Sequence, residues 1–398
     1  MLPIADEAVG HDPSARALAE SRQIAAPGAN YVLRNPLADR TAAGLPDAVC
    51  RGFHASLPGF AATPVREALA TAEALGVAKV LVKDESDRLG LPSFKILGAA
   101  WAVCRELAER WRLGDAAGLR FDDLVRAAVD HPGLTLVAPT DGNHGRAVAH
   151  MASLLGLPAV VLMPAGTAQD RIDAIAAEGA EVRVTEFGYD DTVRMAAAMA
   201  DDTHAVISDT SWPEYTRAPQ DVIDGYATVV GEVTDLIAAG ALPEPDVVAA
   251  QIGVGGFAAA VARGFAHRPG RLMVGVEPLD AACVTASVAV GRIISLPGEQ
   301  RSAMAGLNCG TPSDIAWPDI STGFDAFSVI DDASAEQAMR LLAEDGIAAG
   351  ESGAAGLAGL LGNRGDLGLT SSDTVLVFLT EGPTDARNYR RVVGGMEE

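Results

Sequence analysis

The sequence predicts an α/β protein with mainly parallel strands, and three observations lead to this prediction. Short apolar runs alternate with helical stretches of roughly ten or more residues from Leu134 onward, which is the rhythm of βαβ units. Polar loops that contain glycine directly follow three of the apolar runs, where a parallel sheet collects its ligands. A chain of 398 residues can bury one large core or two medium ones, and two domains are favoured.

The first part of the chain has weaker periodicity. Residues 1–50 are rich in Ala, Asp, Arg and Pro and are interpreted as an N-terminal extension that wraps the body. Proline and glycine turns then predict the start of a regular element. The elements predicted before residue 134 are strands at 31–33 and 80–82 and helices at 65–75 and from the Lys95 region to Trp111.

The later strands are predicted from short apolar runs separated by helical patterns. They lie at residues 134–138, 159–163, 181–185, 205–208, 247–251, 272–277 and 375–379. The segment from 280 to 330 is rich in Gly, Pro, Ser and Asp and is interpreted as loops near an opening.

Composition excludes several classes of partner. The net charge is −23, which argues against nucleic acid and against anionic membrane surfaces. No apolar run approaches the length of a membrane span, and no basic segment followed by an apolar one marks a secretion signal, so a cytoplasmic location is expected. The four cysteines are widely spaced and the histidines are not clustered, so no metal site is expected.

Lys95 is the first candidate for chemistry because lysine is so scarce. The sequence has three lysines, and its other cations are arginine or histidine. Arginine stays protonated, whereas lysine can lose its proton and attack a carbonyl to form an imine. Lys79 and Lys83 flank a strand and are interpreted as solvated strand ends, while Lys95 lies between a loop and a helix of small residues. The alternative for Lys95 is an ordinary helix-start lysine that faces water.

The first polar loop, residues 139–145, follows the strand that ends at Ala138. Its glycines allow a tight turn that brings backbone N–H groups to the start of a helix, a good place for an anion. Asp141, Asn143 and His144 add three polar side chains within four positions. The alternative is a loop whose Asp or Asn only caps the helix.

The second loop, residues 251–257, contains three glycines before a predicted helix. Successive amides can converge there on a phosphate, with the helix dipole behind them. The pattern lacks the Gly-x-Gly-x-x-Gly dinucleotide fingerprint and the Gly-Lys-Ser/Thr of the P-loop, so a single phosphate monoester fits better than a pyrophosphate. The alternative is a tight turn for helix–sheet packing.

The third loop, residues 379–385, places the hydroxyl of Thr380 at the end of the last strand, unless it is only a turn with a helix cap. An amine, a phosphate cup and a strand-end hydroxyl together meet the needs of pyridoxal 5'-phosphate. A neutral hydroxyl beside the pyridine nitrogen leaves that nitrogen largely unprotonated. The weakened electron sink favours β-elimination or β-replacement, in which a leaving group takes the electrons.

The sequence resembles the fold-type-II, or tryptophan-synthase-β-like, pyridoxal phosphate enzymes, and more narrowly the diaminopropionate ammonia-lyases. The order of motifs 93–95, 141–145, 253–256 and 380–382 carries the wider resemblance. The narrower one is carried by residues 83–86, 89–91, 140–146, 209–212, 304–307, 309–310, 380–382 and 384–385. Asp141 is the most specific point, because the serine and threonine dehydratases usually have a small neutral residue there.

The resemblance implies two α/β domains, each with a mainly parallel twisted sheet flanked by helices. The expected large domain comprises residues 51–135 and 205–398, and the small domain comprises 136–204. It also implies a homodimer that uses pyridoxal 5'-phosphate to convert 2,3-diaminopropionate, a small amino-acid substrate, to pyruvate and ammonia by α,β-elimination.

The resemblance also implies a role for each matching residue. Lys95 would carry the Schiff base, and Asp141 and Asp209 would take the Cα proton from opposite faces, one for each enantiomer. The residues expected around the cofactor are Phe94, Lys95, Asn143, Gly253, Val254, Gly255, Gly256 and Thr380, with Asn143 at the phenolic oxygen and Thr380 at the ring nitrogen. Those expected around the substrate are Ser93, Thr140, Asp141, Gly142, His144 and Asp209.

Two departures from the family pattern keep alternatives open. Residues 92–93 are Pro-Ser where Asn-Ala or Asn-Ser is expected, and Pro383 replaces an Asp. The alternatives are a serine or threonine dehydratase, a β-replacement enzyme, or a scaffold that senses a ligand without turnover. Cys283 and Cys309 lie in family-like segments beside the expected site and are interpreted as two buried thiols in a reducing cytoplasm.

Overall fold

The structure is a computed structural model that describes residues 29–44, 48–140, 142–212 and 214–394. Most of the predicted N-terminal extension and the candidate Asp141 lie outside these residues. Within the described chain, no helix is long and apolar enough to cross a membrane. No group of three or more His, Cys, Asp or Glu in those same ranges is placed to hold a metal ion.

The strands form two sheets. In chain order they are β1 Tyr31–Arg34, β2 Val65–Glu67, β3 Lys79–Asp84, β4 Thr135–Pro139, β5 Ala159–Met163, β6 Glu181–Val184, β7 His204–Val206, β8 Val247–Gln251, β9 Leu272–Pro278, β10 Ala326–Ile330 and β11 Thr374–Leu379. The larger sheet has the order β1-β10-β9-β8-β11-β3-β2, and the smaller has the order β6-β5-β4-β7.

Parallel pairing dominates both sheets. In the larger sheet only the edge strands β1 and β2 run antiparallel to their neighbours, and every pair in the smaller sheet is parallel. The central strands β8 and β11 are apolar except for Gln251 and Thr374, as expected when helices cover both faces of a parallel sheet. The predicted α/β class with mainly parallel strands is therefore confirmed.

Helices connect and cover the strands. They are α1 Cys50–His54, α2 Leu69–Leu75, α3 Lys95–Arg110, α4 Phe121–Asp130, α5 Asn143–Leu155, α6 Gln169–Ala176, α7 Tyr189–Ala197, α8 Arg217–Ala238, α9 Gly256–Phe265, α10 Cys283–Val290, α11 Trp317–Gly323, α12 Asp332–Glu344, α13 Glu351–Gly362, α14 Arg364–Leu367 and α15 Ala386–Val393. Because the strands are parallel, their carboxyl ends and the loops that begin α3, α5 and α9 meet at one edge of each sheet.

The α3–α8 crossing fixes the position of the helix that begins at Lys95. A Cβ atom on Gly98 of α3 would lie 2.5 Å from the Tyr226 ring, and one on Gly225 of α8 would lie 2.6 Å from the carbonyl oxygen of Leu97. Glycine at both positions lets the two helices approach at backbone distance.

Three sequence predictions are wrong. Residues 65–67, predicted to begin a helix, form the short strand β2, because they pair antiparallel with β3 at the sheet edge. Strand β10 falls in the segment predicted as loops, although its five residues are buried between β1 and β9. Lys83, predicted to be a solvated strand end, is fully buried because Glu232 and Glu85 balance its charge. The division into domains at residues 136 and 204 stays a prediction.

Candidate active site

A cavity of about 610 Å³ lies where the carboxyl ends of strands from both sheets face each other. Its walls come from the loops after β3, β4, β7, β8 and β11. The predicted site residues that line it are Phe94, Lys95, Thr140, Gly142, Asn143, His144, Asp209, Gly253, Val254, Gly255, Gly256 and Thr380. Ser93 is buried just behind the wall, where its backbone pairs with that of Glu381. Asp141 lies outside the described residues.

Lys95 is the first residue of α3. Its amine lies in the cavity, next to a cluster of aromatic side chains. Its Nζ lies 2.8 Å from Oδ2 of Asp209. The same nitrogen is 5.6 Å from the ring centre of Phe94 and 6.0 Å from that of Tyr226. Phe257 is the third ring of this aromatic cluster, with its ring centre 4.6 Å from that of Phe94. Apolar rings below and a carboxylate beside it hold the amine in one position.

The ionisation of Asp209 depends on the groups around it. Burial by itself would raise the pKa of Asp209, but the positive charge of Lys95 and the neighbouring His144 hold that pKa well below its usual value. Asp209 is therefore a carboxylate at neutral pH. The opposing effects of burial and cation make its pKa sensitive to the charge on Lys95.

The loop after β4 is held by a hydroxyl. Oγ1 of Thr140 accepts hydrogen bonds from the backbone N–H groups of Gly142, at 3.0 Å, and Gly145, at 3.1 Å. A Cβ atom on Gly145 would collide with the methyl group of Thr140, so only glycine permits this closure. The closed loop leads into α5, which begins at Asn143.

Asn143 and His144 have specific partners at the start of α5. Nδ2 of Asn143 donates to Oε2 of Glu381 at 2.5 Å. Nε2 of His144 lies 2.9 Å from the carbonyl oxygen of Ile207 and must donate to it, which leaves Nδ1 on the side of Asp209, 3.9 Å from Oδ2. Side chains from the loops of both sheets are thus bonded across the cavity.

The glycine-rich loop after β8 forms a cup at the N-terminus of α9. Gly255 has a φ of +107°, which favours glycine, and a Cβ atom there would lie 2.8 Å from Ile320. A Cβ atom on Gly253 would lie 3.1 Å from the carbonyl oxygen of Gly306. With no side chains in the way, the amides that begin this ten-residue helix face the cavity and suit a phosphate.

A buried amide side chain fixes the position of the Thr380 hydroxyl at the end of β11. Nε2 of Gln251 donates to Oγ1 of Thr380 at 2.6 Å. The backbone after β11 is also bonded to the loop before Lys95. The N–H of Gly382 donates to the carbonyl oxygen of Pro92 at 2.9 Å, and the N–H of Phe94 donates to that of Thr380 at 3.3 Å. These bonds fix the distance between the hydroxyl and the amine.

Among the residues of the cavity wall that were not predicted, three contact predicted site residues directly: Tyr226, Gln251 and Glu381. Burial raises the pKa of Tyr226 to about 12, against the effect of the Lys95 charge. Gln251 and Glu381 belong to the segments 251–257 and 379–385, which the sequence analysis selected as candidate site loops. A polar residue at the end of an apolar strand in such a segment could have identified both as site residues. Tyr226 lies in the middle of a long apolar helix and gives no such signal.

The cysteines near the glycine cup form no disulfide in the described chain. Sγ of Cys283 is 4.0 Å from the carbonyl oxygen of Gly253, and a Cβ atom on that glycine would lie 3.2 Å from Sγ of Cys309. Burial, with Glu277 nearby, raises the pKa of the Cys283 thiol. The expectation of two thiols is met, although Cys309 is only partly buried.

The residues around the cavity fit pyridoxal 5'-phosphate. Lys95 supplies an amine, the glycine cup suits one phosphate, and Thr380 supplies a hydroxyl. Gln251 already donates to that hydroxyl oxygen, and no other hydrogen-bond partner for it lies among the described residues. Its proton is therefore available to an acceptor in the cavity, such as a pyridine nitrogen.

Comparison with known proteins agrees with this fit. The family model described as "Pyridoxal-phosphate dependent enzyme" matches residues 57–381. The diaminopropionate ammonia-lyase of Escherichia coli (strain K12) is 38% identical over 365 residues, which cover 87% of this chain and 90% of that protein. The diaminopropionate ammonia-lyase of Salmonella typhimurium (strain LT2) is 36% identical over 371 residues, covering 86% and 90% of the two chains.

Solved structures of the Escherichia coli enzyme are also similar. The selenomethionine holo form superposes with a TM-score of 0.83 at 34% identity, covering 92% of this chain and 97% of that one. The form in complex with an aminoacrylate-PLP azomethine reaction intermediate superposes with a TM-score of 0.82, also at 34% identity and with the same coverage.

Proposed function

The chain belongs to the fold-type-II pyridoxal-phosphate-dependent enzymes and, among them, to the diaminopropionate ammonia-lyases, and from this membership we propose its reaction and the roles of its residues. The reaction is the α,β-elimination of 2,3-diaminopropionate, which with one water gives pyruvate and two ammonia molecules. The observation that carries the proposal is the cavity in which the Lys95 amine lies 2.8 Å from the Asp209 carboxylate, between a glycine cup and a strand-end hydroxyl.

Residues of this chain would hold the cofactor. Lys95 would be the amine that binds its aldehyde, and the amides of Gly253, Val254, Gly255 and Gly256 would bind its phosphate. When bound, pyridoxal 5'-phosphate supplies a conjugated ring that accepts the electrons released at Cα. The hydroxyl of Thr380 would donate to the ring nitrogen, and Nδ2 of Asn143 has a second proton that it would donate to the phenolic oxygen. The Phe94 ring lies beneath the Lys95 amine and excludes water from that side.

Asp209 acts as a base at Cα of the substrate. The positive charge of Lys95 and the neighbouring His144 hold the Asp209 pKa well below its usual value. Asp209 is therefore ionised at neutral pH and can accept a proton from Cα. His144, whose Nδ1 is 3.9 Å from Oδ2 of Asp209, stabilises the carboxylate between turnovers.

The loop after β4, whose conformation Thr140 holds, forms the substrate site together with Ser93, Gly142 and His144. Asp141, in the same loop, is the second base and takes the Cα proton from the opposite face, so that each enantiomer of the substrate meets a carboxylate. A carboxylate here also gives the β-ammonium group of diaminopropionate a partner that a serine hydroxyl does not need.

The proposal includes a homodimer in the cytoplasm. Homodimers are the family expectation that the sequence resemblance implied. The four cysteines are widely spaced in the sequence and form no disulfide in the described chain, which agrees with a reducing compartment.

The direct test is to incubate the purified, cofactor-loaded protein with D- and L-2,3-diaminopropionate and with D- and L-serine while measuring pyruvate. We expect pyruvate from at least one diaminopropionate isomer at a rate at least tenfold above that from serine. Lys95→Ala should abolish turnover together with the visible absorption of the bound cofactor. Absence of pyruvate from both diaminopropionate isomers contradicts the proposal, and faster release from serine favours a dehydratase.

A further inference from the structure

The direction of a single hydrogen bond decides which way the Thr380 hydroxyl points, and the residue that sets it is Gln251 at the end of β8. This amide side chain is 3% exposed and lies between β11 and the first turn of α13. Its side-chain nitrogen bonds to backbone carbonyl oxygens and to the hydroxyl of Thr380. Its influence on chemistry must therefore pass through Thr380.

The orientation of the amide is determined by its neighbours. Nε2 of Gln251 lies 2.9 Å from the carbonyl oxygen of Phe378, 3.1 Å from that of Ser352 and 3.4 Å from that of Gly353. Rotating the amide by half a turn would place Oε1 against three carbonyl oxygens, all of which are acceptors. Oε1 instead faces α13, where a Cβ atom on Gly356 would lie 3.0 Å away. The nitrogen is therefore on the Thr380 side.

An amide nitrogen can only donate, so Oγ1 of Thr380 must accept the bond at 2.6 Å. A hydroxyl carries one proton, and its oxygen is already engaged as an acceptor. Among the described residues, that proton meets no acceptor oxygen. The O–H bond of Thr380 consequently points into the cavity, where it can donate.

We infer that Gln251 is a positioning residue that locks the Thr380 hydroxyl as a donor and thereby keeps the ring nitrogen of the cofactor unprotonated. This inference rests on the proposed function only for the identity of the ring that the hydroxyl faces. A protonated ring nitrogen is itself a hydrogen-bond donor, so its N–H group and the O–H group of Thr380 would face and repel each other. The unprotonated ring is the weaker electron sink, which suits a reaction whose leaving group takes the electrons.

The test is a double-mutant cycle in which the measured quantity is the protonation state of the cofactor's ring nitrogen. Wild-type protein, Gln251→Met, Thr380→Val and the double variant are each loaded with pyridoxal 5'-phosphate carrying ¹⁵N in its ring. The ¹⁵N chemical shift of the bound ring is then followed against pH in the absence of substrate. Gln251→Met keeps the length of the side chain and removes the donor, and Thr380→Val keeps the shape and removes the hydroxyl.

We expect Gln251→Met to raise the pH at which the ring nitrogen takes up a proton by about one unit, because the hydroxyl becomes able to accept and one neutral hydrogen bond is reversed. In the Thr380→Val background, Gln251→Met should cause no further change, since no hydroxyl is left to turn. In the Thr380→Ser background, which retains the hydroxyl, Gln251→Met should again raise the pH at which the ring nitrogen takes up a proton.

An unchanged titration in Gln251→Met overturns the inference, and so does an equal shift with and without the Thr380 hydroxyl. Gln251→Glu takes the place of Gln251→Met if the latter does not bind the cofactor. Its buried carboxyl group donates one proton to Phe378 and accepts from Thr380, so it should shift the titration in the same direction. Pyruvate formation by the wild type is measured separately. An active wild type with no ¹⁵N effect refutes only this inference, and the reverse pattern refutes only the proposed substrate.

Discussion

At the scale of single residues, Glu232 on α8 is the counter-charge for two cations that water does not reach. Lys83 and Arg88 are fully buried. Oε2 of Glu232 lies 2.5 Å from Nζ of Lys83 and 2.7 Å from Nη2 of Arg88. Burial would raise the pKa of Glu232, but the two cations lower it below its usual value. The group holds the loop that leads from β3 to Lys95.

We predict that Glu232→Ala destabilises the protein by about 3–5 kcal/mol, because it leaves two buried positive charges with only Glu85 to balance them. Asp235→Ala is the matched control one turn further along α8. Asp235 pairs with Arg51 at the surface and is 61% exposed, so its removal should change the free energy of unfolding by less than about 1 kcal/mol. Denaturant unfolding measures both, and equal effects would contradict the distinction.

At the scale of elements, the α3–α8 crossing positions the amine. A Cβ atom on Gly225 would lie 2.6 Å from the carbonyl oxygen of Leu97 and 2.8 Å from Cα of Gly98. These are backbone atoms, so α3 must move as a whole to make room. Lys95 is two residues from Leu97 and would move with it.

Gly225→Ala should therefore destabilise the protein by about 1–3 kcal/mol, as overpacking does, and should weaken cofactor binding. Gly52→Ala in α1 serves as the control, because a Cβ atom at Gly52 meets nothing within 4 Å. Removing a helical glycine there should stabilise the protein by up to about 1 kcal/mol. Thermal unfolding and cofactor titration separate the two, and a neutral Gly225→Ala would show that the helices can slide apart freely.

At the scale of the whole molecule, the cavity is closed by bonds between loops of the two sheets. Asn143, at the end of the smaller sheet, donates to Glu381, which follows β11 of the larger one. Burial raises the pKa of Glu381, while the charge of Arg171 and hydrogen bonds from Ser352 and Asn143 oppose this effect. The bond couples the two sheets at the cofactor site.

We predict that Glu381→Ala weakens cofactor binding about tenfold and increases hydrogen exchange at the start of α5, since it removes the bond from Asn143 that joins the two sheets, worth about 1–2 kcal/mol. Glu381→Gln retains an acceptor and should restore most of both. Glu178→Ala is the control, because Glu178 pairs with Arg146 and His150 away from the contact between the sheets. If Glu178→Ala changes cofactor binding as much as Glu381→Ala does, the effect comes from a general loss of stability. The Asn143–Glu381 bond then has no specific role in cofactor binding.

Much of the site could be predicted from the sequence because its parts lie in short segments. Lys95 stands out by scarcity, and the glycines after β8 and the hydroxyl after β11 stand at strand ends, where local pattern is informative. Lys83 was misplaced because a lysine next to an apolar run looks solvated until its partner is known. That partner, Glu232, is 149 residues away.

Local sequence patterns were enough to predict the parallel α/β class, the loops at the strand ends that carry the candidate site residues, and the resemblance to pyridoxal phosphate enzymes. These features depend on the periodicity of apolar residues and on motifs within a few positions of each other. Only the tertiary structure decided that Asn143 bonds to Glu381, that Gln251 orients Thr380 and that Glu232 neutralises Lys83. Each of these is a hydrogen bond or ion pair between distant segments, and such partners are selected by the geometry of packing and by the cost of burying an unpaired polar group.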